Sequence, residues 1–79
     1  MNRFLAKEVV IHRLSDRWPH YPAYIRWCKD NFGVRGRGWE CEKGYVKRGV
    51  AHPLQAIQCI TFQFENTEDY TQFMLTHIL

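Results

Sequence analysis

Polar and apolar residues alternate most regularly over residues 55–65, QAIQCITFQFE. A period of two predicts a strand with Ile60, Phe62 and Phe64 on one face and Ile57, Cys59, Thr61 and Gln63 on the other. The Phe face is the one expected to meet helices. Two stretches carry a helical period instead. Tyr24, Cys28 and Phe32, with Ile25 beside them, form one stripe, and Arg26, Lys29 and Asp30 point away from it. Pro22 suits the first turn of that helix, and Gly33 suits the residue that ends it. Near the C-terminus Tyr70, Phe73, Met74, His77 and Ile78 make the second stripe. Asn66 or Thr67 is placed to cap it, with Glu68 and Asp69 favourable in its first turn.

Two further strands are weaker. Val9-Val10-Ile11, within FLAKEVVIHRL (4–14), is a β-branched run that favours a strand, although FLAKE is also compatible with a helix start. Ser15-Asp16-Arg17 and Pro19 then break the element. Trp39-Glu40-Cys41-Glu42 alternates as a half-buried strand does. Lys43-Gly44 reads as a turn into another short strand beginning Tyr45-Val46, and His52-Pro53 closes the region. The order specifies an α+β fold: one two-layer domain over residues 1–79, with an antiparallel sheet of three to four strands and two helices on one face. The nearest topology is β-α-β-β-β-α, ferredoxin-like or a truncated variant of it.

Composition narrows the class. The chain has 79 residues, 46% of them hydrophobic and 15% aromatic, which is rich enough for a folded core despite the small size. No apolar run reaches the length of a membrane span, and MNRFLAKEVVIHRL lacks the apolar centre of a signal peptide, so a cytoplasmic protein is expected. Three cysteines, Cys28, Cys41 and Cys59, are an odd number and read as small buried hydrophobes in a reducing compartment.

Charge adds a candidate activity. The net charge of +3 hides a segregation: all 11 Lys and Arg fall in residues 1–50, whereas residues 51–79 carry only Glu65, Glu68 and Asp69. A positive region invites a polyanion. It centres on Arg35, Arg37, Trp39, Lys43, Tyr45, Lys47 and Arg48, within the segment 33–52 that holds all five glycines of the chain. The cations suit phosphates and the aromatic rings suit unpaired bases, so RNA is favoured over duplex DNA. Trp39 has a second reading, as a core residue. Arg13, Arg17, Arg26 and Lys29 are placed to extend the patch.

A second cluster, Arg17, Trp18 and Tyr21 with Trp27, has the composition of a protein interface, or else fills the core. Ile57, on the strand face opposite the Phe residues, is a candidate contact for a homodimer or a partner protein. His12, His20, His52 and His77 and the cysteines show no metal-ligand spacing, and no nucleophile motif, P-loop or dinucleotide fingerprint occurs. No catalytic residue, metal or cofactor is therefore assigned.

The C-terminal segment FQFENTEDYTQFMLTHIL, with its Phe-alternating strand and short acidic-headed helix, resembles the ends of small accessory proteins of tailed bacteriophages. The helix end WCKDNFG (27–33) and the strand at Trp39 are similar to those proteins too. The resemblance covers residues 24–79 and implies a role in disabling a host enzyme or neutralising a host defence toxin, in some cases through RNA. It carries no functional residue across. The expected function is a non-catalytic RNA-binding protein, acting as an inhibitor or antitoxin-like factor. The alternative is a protein-binding inhibitor with no need of nucleic acid.

Overall fold

The structure is a computed structural model that describes residues 7–47 and 56–79. The expectations placed on residues 1–6, on Arg48 and Gly49, and on His52-Pro53 lie outside the described residues. The elements run β1 (Lys7–His12), a 3-10 turn (Trp18–His20), α1 (Tyr21–Phe32), β2 (Trp39–Lys47), β3 (Ala56–Phe64) and α2 (Thr67–Phe73), which continues into a π-helical turn over Met74–Ile78.

The three strands form one antiparallel sheet in the order β1-β3-β2. β3 lies between β1 and β2, which makes a split β-α-β unit followed by a helix. These are the first five elements of the ferredoxin-like pattern. The alternation that marked β3 as a strand also made it the central one. Ile60, Phe62 and Phe64 are almost wholly buried, because β1 and β2 flank them and both helices cover them.

One sequence expectation is corrected. Lys43-Gly44 does not turn: β2 is a single strand of nine residues. A tight two-residue hairpin turn needs a positive φ, and Gly44 is not among the positive-φ glycines, Gly33, Gly36 and Gly38. It is extended opposite Cys59.

The helices dock as their stripes require. On α1, Tyr24 and Cys28 are buried, and Ile25 and Phe32 half-buried. Gly33, at φ 93°, ends the helix in a conformation that a Cβ disfavours. Asn66 caps α2 by accepting the Asp69 N–H at 2.8 Å. Phe73 then enters the core, its ring 5.0 Å from that of Phe62 and 5.1 Å from that of Phe64. At the C-terminal turn Ile78 offers its carbonyl to the Arg17 guanidinium at 2.5 Å.

Candidate nucleic-acid interface

Strand period decides which side chains share a surface. In β2, Trp39, Cys41, Lys43 and Tyr45 point to the helix side, opposite Phe64, Phe62, Ile60 and Gln58 of β3. The first two of these rows are roofed by the helices. The row Ile11–Ile60–Lys43 lies at the helix margin, where the Lys43 ammonium sits 5.1 Å from the centre of the Tyr21 ring, a cation–π geometry. The next row emerges from cover: Arg13, whose N–H donates to the Gln58 carbonyl at 2.8 Å, then Gln58, then Tyr45. Tyr45 is 71% exposed. Arg13, Leu14, Tyr45, Ile57 and Gln58 line an open recess of about 280 Å³.

That recess joins an aromatic face, a side-chain amide and a guanidinium. One row back, Lys43 meets Tyr21, whose ring is 4.8 Å from that of Trp18. Lys43 thus touches the aromatic cluster assigned to protein contact, and two groups that lie far apart in sequence become neighbours. Trp18 and Tyr21 are half-buried against the core, so only part of each ring is available to a partner. Arg17 is exposed, but it is engaged with the Ile78 carbonyl.

The rest of the expected basic patch divides. Trp39 is fully buried, and its indole N–H donates to the Gly33 carbonyl at 2.9 Å. It has no face to offer a base, so the stacking role expected for it is corrected to a core role. Arg35 and Arg37 belong to the loop before β2, at the far end of that strand. From Trp39 to Tyr45 an extended chain covers about 20 Å, so the two arginines and Tyr45 do not form one surface. Arg35 is further committed to Glu40 at 2.8 Å and to the Cys41 sulfur at 4.0 Å. Arg37 is exposed. Lys47 closes β2 in the direction of the recess, and Arg48 lies outside the described residues.

The opposite face of the sheet has another character. It presents Glu8, Val10 and His12 from β1, Ile57, Cys59, Thr61 and Gln63 from β3, and Glu40 and Glu42 from β2. Three carboxylates, of which Glu40 is paired with Arg35, and no Lys or Arg side chain from these positions make it unfavourable to phosphate. Gln63 donates to Glu8 Oε2 across this face at 2.9 Å. Ile57 is half-buried at the rim of the recess.

Sequence reasoning passed over Gln58 and Leu14. A signal for Gln58 was present: a polar residue ends the stripe Phe64-Phe62-Ile60, which marks where helical cover stops. Nucleophilic chemistry finds no support in the thiols. Burial, with smaller contributions from Cys41 and Asp69, pushes the Cys28 thiol up to about 12. Burial also raises Cys41, against the opposing hydrogen bond and charge of Arg35. Among the described residues no group of His, Cys, Asp and Glu could hold a metal ion, and no helix is long and apolar enough to cross a membrane. The chain matches no protein-family model, no curated protein and no solved structure.

Proposed function

We infer that the protein is a non-catalytic module that binds single-stranded RNA at the uncovered end of its sheet, on the helix side. The observation that carries this reading is the row Arg13–Gln58–Tyr45 around its recess. An exposed tyrosine ring supplies a stacking platform, the amide of Gln58 has both a donor and an acceptor for a base edge, and Arg13 and Lys43 supply charge for the backbone. Unpaired bases are required, because a base inside a duplex cannot reach a ring on a sheet. The resemblance to phage accessory proteins extends the reading: RNA held here acts on a host protein as an inhibitor or antitoxin-like factor.

The acidic open face favours a second reading, in which the chain inhibits a basic protein partner without nucleic acid. Fluorescence anisotropy with a short single-stranded RNA separates the two. Binding is expected for the wild type, with Tyr45→Ala losing about 1–3 kcal/mol and Lys43→Ala lowering the salt slope by about 0.7. No binding at low salt, or full affinity in both variants, refutes the RNA assignment. Clean protein with no co-purifying nucleic acid then points to the second reading.

A further inference from the structure

The two edges of the sheet are treated differently. At the start of β2 two outward backbone groups are answered from within the chain. The Trp39 carbonyl accepts from the Gly36 N–H at 2.8 Å, and the Cys41 N–H donates to the Glu40 carboxylate at 3.0 Å. Arg35, held on that carboxylate, adds bulk at the same place. β1 has no such guard between Lys7 and Ile11 among the described residues.

The ladder shows which groups β1 leaves open. Arg13 N–H bonds the Gln58 carbonyl, and antiparallel pairs alternate between bonded and non-bonded. Ile11, Val9 and Lys7 therefore direct their backbone groups to Ile60, Phe62 and Phe64. Glu8, Val10 and His12 direct theirs outward; the His12 carbonyl accepts the Ser15 N–H at 2.9 Å, and the outward groups of Glu8 and Val10 and the His12 N–H have no partner among the described residues. An unguarded edge of alternate residues with β-branched neighbours is a template for another strand.

We propose that the strand it takes is β1 of a second copy, antiparallel and centred on Val10, so that two chains share one six-stranded sheet. The register follows from self-complementarity. A two-fold axis through the Val10 pair opposes Val10 to Val10, Glu8 to His12 and Val9 to Ile11. The two Val10 residues then exchange both backbone hydrogen bonds, and each His12 N–H donates to the Glu8 carbonyl opposite. Each Glu8, with one oxygen held by Gln63, faces an imidazole that can donate to the other. The pairing also keeps the helices of both copies on the same side, so apolar positions stay opposite apolar positions. It sets Lys7 against Arg13 of the second copy at either end, two exposed side chains whose repulsion salt screens within about 10 Å. A shift by two residues toward the N-terminus would oppose Glu8 to Val10 and lose the carboxylate–imidazole pairs.

Sedimentation equilibrium of the full chain, over the micromolar to millimolar range, is expected to give twice the 9.5 kDa chain mass. Val10→Pro removes an outward N–H without touching the ladder to β3, a substitution that edge strands tolerate. It is expected to halve the mass and keep the circular dichroism of the wild type. A wild type that stays monomeric throughout, or a folded Val10→Pro variant that stays dimeric, overturns the proposal. Single cysteines test the register without requiring the proline variant to fold. Under mild oxidation Val10→Cys is expected to give a covalent dimer. His12→Cys is not, because its two copies would lie about 13 Å apart along the strands. Equal crosslinking of the two variants overturns the register. RNA binding is read separately, so the dimer and the RNA site stand or fall independently.

Discussion

Replacing Trp39 with Phe tests whether the residue that looked most like a base-stacking ring belongs to the core. The indole is wholly excluded from solvent, and its N–H satisfies the carbonyl of Gly33, the residue that ends α1. Phe fills most of the volume but has no donor. Losing this part-buried hydrogen bond costs about 0.5–1.5 kcal/mol. Indole is larger than phenyl, and the space it vacates adds to that loss, toward the 3–5 kcal/mol of a full Trp→Ala truncation. A total of about 2–3 kcal/mol is expected. For a domain of this size each kcal/mol moves the Tm by about 4–8 °C, so a fall of at least about 8 °C should appear in a thermal melt followed by circular dichroism. Affinity for single-stranded RNA, measured well below the melt, should stay within twofold of the wild type. A Tm lowered by less than about 4 °C together with a large loss of RNA affinity refutes the core assignment.

Three other outcomes are expected. Arg35→Ala/Arg37→Ala should leave RNA affinity almost unchanged, because both residues stand in the loop before β2, at the end of the strand away from Tyr45, and Arg35 is held on Glu40, whereas Arg13→Ala should weaken it; anisotropy titrations check both. His77 stacks among Tyr24, Trp27 and Phe73, and its Nε2 is buried without a hydrogen-bond partner among the described residues. Burial lowers its pKa from 6.5, so the unfolded chain takes up the proton first and stability falls as pH drops below 6.5; His77→Phe should flatten that part of the urea-midpoint profile and raise stability by about 1 kcal/mol. Ellman's reagent should find no rapidly reacting thiol in the native chain and three after denaturation, since all three cysteines are free and buried.

Most of the layout was legible because period alone determined it. The Phe stripe of β3 and the two helical stripes each faced one way, and the sheet and helices had to bury those faces together. Gly44 was misread because lysine followed by glycine is a turn signal only where the backbone needs positive φ, and a sequence does not show φ. The basic patch was misjudged for a different reason. Residues that read as one cluster run from the loop of Arg35 and Arg37 out along the extended strand Trp39–Lys47, where each step adds about 3.3 Å. Trp39 stood among arginines and glycines, yet its position in the strand sent it under the helices. The contact of Lys43 with Tyr21 was invisible for the opposite reason, since only the fold brings α1 over β2.

The strand order also governs how the chain reaches this structure. β2 and β3 are consecutive and pair as a hairpin, so they can meet after closing a short loop. β1 must pair with β3 across nearly the whole chain, Lys7 with Phe64, and Arg17 meets the carbonyl of Ile78 across a comparable span. Loop-closure entropy opposes both contacts until other interactions hold the ends together. The hairpin and the helices therefore gather first, and the N-terminal strand is added last, onto a central strand whose second edge waits for it. Such non-local pairing places folding toward the slower end for small domains. In the single chain the last strand to dock is the first to be lost, so at concentrations that keep the chain monomeric amide exchange should be fastest along β1.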